Sequence, residues 1–350
     1  MLFLRSLGLV SSIYLLCLDP AVAANDSGCE SSLEWKKHVF HRPQMGVPFR
    51  LTFYSNQGEE HAESAADGVW KRISALNAIF SNYETDSELS QLGYNSGKGD
   101  WVPVSDPLWK VLCHAQQLSM QSDGAFDLTL GPATALWRKA RRQKSLPAQT
   151  ILESMMSRTG WKKLLLRPEN QSVCLVSPGM RLDPGGIAKG FALDSGLAVL
   201  SDFGIRHALL AGGGDMAALE GHPNGKPWTI RLAGFDDDDP TSEDMIPLVH
   251  AAVATSGDLF QFVEIDKLRY SHILNPKTGI GLTTRSLVTV YASSGMEADS
   301  LATTLAVLGP KAAPEWIERF ASGVKVRLLW LDEADTVQEW VRGDFERISP

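Results

Sequence analysis

Asp299 and Thr303 stand one helical turn apart in MEADSLATTLAVLG, residues 296–309, an acid and a hydroxyl among small and aliphatic side chains. Just upstream, Ser294 with Glu297 three residues on has the form of a capping box, which starts the helix before Asp299 and leaves the acid inside it rather than capping it. At about 100° per residue, Asp299, Ala302, Thr303 and Ala306 share one narrow face, and Leu301, Leu305 and Leu308 share another. A face built from an acid, a hydroxyl and methyl groups lets a ligand come close to the backbone.

Other stretches carry related chemistry. In RLDPGGIAKGFALD, Gly185 and Gly186 precede a helix and free its first N–H groups as an anion site, with Lys189 as a point charge in the first turn; a tight turn with a solvated lysine is the competing reading. Three glycines and Asp215 lie between apolar runs in LLAGGGDMAALEG, VATSGD ends in Asp258, and GAFDLTLGP is a further glycine-bounded turn. Glycine inside strand-like sequence marks close approach of a ligand or another backbone. Four such clusters in one chain point to a backbone-lined cleft around a phosphate or a planar ring. His272, in YSHILNPKTG, sits at a strand end before a turn. With an ordinary pKa of about 6.5 it could accept a proton at neutral pH, although a structural histidine is the alternative. The chain has no HExxH, CxxC, GxSxG or GxxxxGK[ST] pattern, so zinc hydrolysis, serine-triad chemistry and a P-loop find no support.

The elements that must position these residues are bounded by composition. The chain has 350 residues, 44% of them hydrophobic, and a net charge of −8, which argues against a polyanion-binding surface such as one for nucleic acid. Residues 1–23 combine Arg5, an apolar run from Leu7 to Leu18 and the Ala21-Val22-Ala23 site of a secretory signal peptide; the run is too short for a membrane span. The mature chain is therefore expected to be exported, most simply to a bacterial periplasm, with no transmembrane span. Residues 24–40 read as a loosely held lead-in and 41–345 as a single domain. Cys29, Cys113 and Cys174 are scattered and odd in number, so the fold does not rest on disulfides. The acidic run FDDDDP at 235–240 reads as a solvated loop.

Hydrophobic periodicity predicts a strand over 45–54, amphipathic helices over 65–83 and 106–124, and a short helix followed by a strand pair around RPENQ. A third long helix is predicted over 186–204. Strand-like runs follow over 207–219, 226–235, 245–257, 261–275 and 285–293, then the helix at 296–309 and a strand over 324–332. Helices and hairpin-like strands interleave without strict βαβ alternation, which predicts an α+β domain with largely antiparallel sheets.

In order along the chain, MG at 45–46, SNYETDSELSQL, GAFDLTLGP, LDPGGIAKGFALD, GGGDMAALEG, ATSGD, SHILNPKTG and ADSLATTLAVLG resemble the ApbE family of FAD:protein FMN transferases. The resemblance spans roughly residues 45–310 and implies a T-fold-like domain that holds FAD as substrate with a divalent cation, Mg2+. The FMN half would pass through a phosphoester bond to a threonine or serine of a partner protein, with release of AMP. Carried over position by position, Met45, Tyr83, Ala125, Phe126, Asp127, Asp183, Lys189 and His272 would contact FAD. The cation would be held by the side chains of Asp299 and Thr303 and by backbone oxygens of Gly186 and Ala302, hard ligands that suit Mg2+. Lys189 would share in neutralising charge, with His272 as first candidate base and Asp258 as second. Ala211 stands where the family has an asparagine. The family's acceptor core, [ST]GA[ST], is absent from this chain, which places the acceptor on another protein, expected to be a redox subunit. An FAD pyrophosphatase yielding FMN and AMP, or a non-catalytic flavin-binding protein, are the alternatives.

Overall fold

The computed structural model describes residues 34–235, 245–259 and 261–345. The expected signal peptide, Cys29 and the aspartates of the acidic run lie outside them. The chain opens with the hairpin β1 (Lys36–Gln44) and β2 (Val47–Ser55), followed by α1 (Glu59–Phe80), α2 (Glu88–Tyr94), β3 (Val102–Pro103) and α3 (Asp106–Gln121). Next come α4 (Gly131–Gln143), α5 (Gln149–Met156), β4 (Leu164–Arg167), β5 (Ser172–Leu175) and α6 (Ala188–Asp202). The second half is strand-rich: β6 (Ala208–Gly212), β7 (Asp215–Ala218), β8 (Trp228–Arg231), β9 (Met245–Leu248), β10 (Ala251–Gly257), β11 (Phe262–Ile265), β12 (Leu268–Ser271) and β13 (Ser286–Ala292). It closes with α7 (Gly295–Phe320), β14 (Lys325–Leu331) and β15 (Val337–Arg342).

Eight strands form one sheet in the order β1-β2-β6-β7-β10-β13-β14-β15, every neighbouring pair antiparallel. The α+β antiparallel expectation holds. The central strands are apolar on both faces because both faces are covered. Successive side chains alternate: Leu210, Ala217, Ala252 and Ala254 join the main core under α1, α6 and α7. Leu209, Met216, Ala218, Ala251 and Val253 face the other way, onto Trp228, Ile230 and Leu248 of the β8–β9 hairpin.

Two of the boundaries that differ from the sequence reading lie at the start of the sheet. A strand, β1, begins at Lys36, inside the stretch expected to be a loose lead-in. It is the sheet's edge, and most of KKHVFHRPQ is exposed, so its polar composition resembles a tail. The strand expected to start at Met45 starts at Val47, because Met45 and Gly46 are the two-residue turn of the β1–β2 hairpin, with φ of 49° and 78°. Cys113 and Cys174 are free thiols.

The opening helix forms as its sequence dictates. Ser294 Oγ accepts the Glu297 N–H at 3.2 Å, while the Glu297 carboxylate takes the Ser293 hydroxyl rather than closing the box on Ser294. The first segment of α7 ends at Gly309, in the left-handed region at φ 71°, before Pro310. A second device holds the start of α7. Asp194, from α6, accepts the backbone N–H of Gly295 at 2.6 Å and of Met296 at 2.9 Å, filling positions the helix cannot satisfy itself. The two helices cross so closely here that a Cβ on Gly190 would collide with the Gly295 carbonyl, and one on Gly295 with the Gly190 carbonyl. Gly190→Ala should therefore cost roughly 3 kcal/mol, the scale of overpacking against backbone that cannot yield. Urea unfolding checks this, and an unchanged midpoint would show that the crossing has slack.

Candidate active site

Hairpin turns gather at one end of the large sheet. Because β2 pairs with β6, with Phe49 opposite Gly212, the Met45–Gly46 turn lies beside the Gly213–Gly214 turn that closes β6 on β7. The end of β10, at Thr255 to Gly257, reaches the same edge. These turns, the first turn of α6 and the Asp299–Thr303–Val307 face of α7 line a cleft of about 750 Å³. Across it stand α4 and the loop ends of the β11–β12 hairpin, contributing Thr134, Trp137, Arg138, Arg141, Gln261 and His272. Met45 is one of the few non-glycine residues with positive φ, a costly backbone state for a side chain without local hydrogen bonds, and it projects at the cleft.

On the sheet side, Lys189 is the centre of a charge cluster. Its ammonium donates to both carboxylate oxygens of Asp299, at 3.2 and 3.1 Å, and stands 2.9 Å from Asp215 Oδ2. Asp299 also accepts the Gly190 N–H at 3.1 Å. Burial raises the Asp215 carboxyl to about 7 against the opposing pull of Lys189, with the Asp299 charge adding to the rise. Lys189 is driven well above the usual lysine range by the two carboxylates, which outweigh its burial. Thus Lys189 is neither the solvated lysine nor the bare anion-binding charge that the sequence left open. It is the counter-ion of two acids.

Thr303 Oγ1 lies 3.3 Å from Ser256 Oγ. A Cβ on Gly186 would come within 2.7 Å of Thr303 Oγ1, so the glycine backbone lies directly against the threonine. Asp299, Asp215, Thr303 and Ser256 therefore present carboxylate and hydroxyl oxygens around one small space, with the Gly186 backbone at its wall. No group of three or more His, Cys, Asp or Glu side chains that could hold a metal occurs among the described residues. A cation here would rest on few carboxylates and on hydroxyl and backbone oxygens, a donor set that fits Mg2+ and not zinc. One detail of the helix face needs correction. Ala302 and Ala306 are buried in the main core, and the side chain that joins Asp299 and Thr303 on the cleft is Val307. Ala302 could reach a cation only through its carbonyl.

Among the flavin-contact positions, Met45, Tyr83, Ala125, Phe126, Asp127, Asp183, Lys189 and His272 all border the cleft. Their roles differ. Tyr83 is 76% exposed, with the Arg138 guanidinium 4.5 Å from its ring centroid. Phe126 is buried in the core, so its ring is packing more than platform. Asp127 is occupied: it accepts the Thr129 N–H and hydroxyl and the Trp161 N–H, tying the 125–130 turn to the 160–161 loop. Asp183 accepts from Asn82 at 2.7 Å, from the Gly185 N–H at 3.1 Å and from Arg138 at 3.3 Å. It thereby fixes the turn that leads into α6.

His272 makes an Nδ1 contact of 3.2 Å with the Gln261 carbonyl; with Nδ1 as the donor, Nε2 is left as the acceptor nitrogen. Burial and the nearby Arg141 charge hold it neutral, with its pKa lowered to about 4. Asp258 does not join it. The carboxylate accepts from Arg269 Nε at 2.7 Å, has Arg285 at 3.8 Å, and is not among the residues lining the cleft. A carboxylate held by two guanidinium groups away from the cleft is a structural anchor, so the second base candidate is withdrawn. Ala211 likewise packs on the opposite face of the sheet, in the β8–β9 layer, and loosens no contact in the cleft.

Asn82, Arg138, Arg141 and Asp194 carry functions that the sequence reading missed. Gly131 and Pro132 looked like the end of a turn, whereas they open α4, proline being tolerated in a first helical turn. That signal was available and would have placed WRKARRQ on a helix. Asp194 carried no local signal, since its partners lie a hundred residues away.

Residues 45–328 match the model of the ApbE family. A Haemophilus influenzae protein named FAD:protein FMN transferase is 31% identical over 312 residues, covering 85% of this chain and 88% of that protein. A Chlamydia muridarum protein of the same name is 29% identical over 288 residues, covering 81% and 88%. The solved structure titled flavin transferase ApbE from Vibrio cholerae superposes with a TM-score of 0.80 at 26% identity, covering 89% of this chain and 99% of that one.

The neutral His272 has a consequence for stability. Unfolded, it titrates near 6.5, and folded at about 4. Between these values the unfolded chain binds a proton that the native chain refuses, so this residue removes stability as pH falls from about 6.5 to about 4. Unfolding free energies across that window should fall less steeply for His272→Gln than for the wild type. Parallel curves would contradict the neutral assignment.

Proposed function

We propose, from the premise that the chain belongs to the ApbE family, that it is an exported, Mg2+-dependent FAD:protein FMN transferase acting on a threonine or serine of a redox partner. The observation that carries this reading is the opposition of two walls across one cleft: Lys189, Asp215, Asp299 and Thr303 on one side, His272 on the other. Names borne by the relatives supply FAD as donor and a protein as acceptor. Export rests on the signal-peptide pattern of residues 1–23. Among the described residues, no helix is long and apolar enough to cross a membrane.

In the proposed reaction the acceptor hydroxyl oxygen attacks the FMN-side phosphorus of FAD. A new O–P bond forms, the bond from that phosphorus to the bridging oxygen breaks, and AMP departs with the bridging oxygen. The hydroxyl proton passes to Nε2 of His272, which is neutral and hydrogen-bonded through Nδ1, the state a general base requires. Lys189 keeps the Asp299 carboxylate aimed at the cleft, and the Gly190 N–H fixes one of its oxygens. Tyr83, backed by Arg138, offers an aromatic surface for a planar ring. Mg2+, held by Asp299, Thr303 and backbone oxygens of Gly186 and Ala302, would supply neutralisation of the charge that develops in phosphoryl transfer.

The test is incubation with FAD, Mg2+ and a candidate acceptor protein. FMN joined to the acceptor with release of AMP supports the proposal, free FMN with AMP makes the protein a pyrophosphatase, and unchanged FAD makes it a binder. His272→Ala should lower the transfer rate by about 100-fold or more, the usual weight of a positioned base; a loss of only a few-fold would remove the assignment. Asp299→Ala should abolish transfer at ordinary Mg2+ concentrations, and retained Mg2+-dependent activity would contradict its role as ligand.

A further inference from the structure

The charges that face the cleft are almost all spoken for. Arg138 is shared by Asp183, Asn82 and the Tyr83 ring, and Lys189 by Asp215 and Asp299. The Asp127 carboxylate is filled by Thr129 and Trp161, and Glu84 accepts from Asn77. Arg141 is the exception. It borders the same cleft, no carboxylate pairs with it among the described residues, and its Nε is buried without a hydrogen-bond partner. Leaving a buried donor unsatisfied costs about 1–3 kcal/mol, more when it is charged. A ligand that brought an acceptor oxygen into the cleft would complete it.

The surroundings of Arg141 fix where that ligand group must lie. Thr134, Trp137, Arg138 and Arg141 share one face of α4 at helical spacing. Trp137 seats that face: its indole N–H donates to the Ser271 carbonyl at 3.0 Å, and its ring meets Tyr270 edge-on at 5.6 Å. His272 follows Ser271 directly, so α4 and the base are parts of one packed unit with Leu274, Val263 and Ile265. Arg141 lies one turn after Trp137 on that same face of α4 and borders the cleft, which puts it on the base side. Resting on the transferase reading above, we propose that Arg141 is a second phosphate-binding cation, taking non-bridging oxygen of the FMN phosphate beside His272. That phosphate is the one attacked by the hydroxyl whose proton His272 receives. A guanidinium offers a planar fork of donors that matches phosphate oxygens, and Arg141 has that fork uncommitted.

Flavin fluorescence titration without metal provides the test, comparing FMN with riboflavin, which lacks only the phosphate. The wild type should bind FMN more tightly than riboflavin. Arg141→Gln should erase about tenfold or more of that preference, the weight of one charge-assisted hydrogen bond, with riboflavin affinity unchanged. Arg141→Lys should restore part of it. Since Arg141 has no protein partner, the thermal midpoint of Arg141→Gln should match the wild type. An FMN preference that survives Arg141→Gln overturns the proposal, and does so equally if KM for the acceptor rises, because the arginine then serves an acidic group on the acceptor. Equal loss of both flavins, or a lowered midpoint, assigns Arg141 to structure and also overturns it. A wild type that binds neither flavin overturns the transferase reading itself, and this proposal with it.

Discussion

The crossing of α6 and α7 at Gly190 and Gly295 is the constraint on which the site depends. Backbone meets backbone there, and Asp194 closes the contact by satisfying the first N–H groups of α7. That contact fixes the rotation and depth of one helix against the other. Lys189 and Asp299 then meet as a consequence, the first next to Gly190 and the second about one turn past Gly295, and the Gly190 N–H joins the same carboxylate. An ion pair formed by long side chains on loose elements would lose much of its Coulomb gain to side-chain entropy. Here the backbone has been positioned already, so Asp299 is held ready with little left to order.

The two walls of the cleft are built differently. One belongs to the eight-stranded sheet and its helices, with turns at its edge delivering Met45 and Asp215. The other is α4 packed on the β11–β12 hairpin through Trp137, a smaller apolar cluster of its own. The first wall collects acids, hydroxyls and a lysine already paired among themselves. The second carries a neutral histidine and an arginine without a partner. Such a division leaves the oxygens that could hold a cation on one wall and a neutral imidazole on the other, kept uncharged by its burial and by the Arg141 charge.

What was legible in the sequence follows from the range of each signal. The antiparallel α+β class, the long helices and the interior placement of Asp299 rest on periodicity and capping, which act within a turn or two, and Ser294 caps α7 as its position indicates. The cleft-lining positions followed from a resemblance carried by eight short motifs in order. Contacts between distant segments were beyond reach. Nothing local to Asp258 says that Arg269 and Arg285 hold it away from the cleft, and nothing local to Asp194 says that it caps another helix. Lys189 is the intermediate case. Its type and place in a first turn left an anion-binding charge and a solvated lysine both open, and its charge is answered by acids 26 and 110 positions further along, which only the fold brings near.

We propose that the α6–α7 crossing holds Asp299 and Thr303 as a preformed seat for a divalent cation. Anomalous scattering from crystals of the protein grown with Mn2+ in place of Mg2+ tests it most directly. The expected result is a single Mn2+ peak within coordinating distance of the Asp299 carboxylate and the Thr303 hydroxyl, with the Gly190–Gly295 crossing unmoved. A peak elsewhere, or a cation bound only after α6 and α7 have shifted apart, would contradict it.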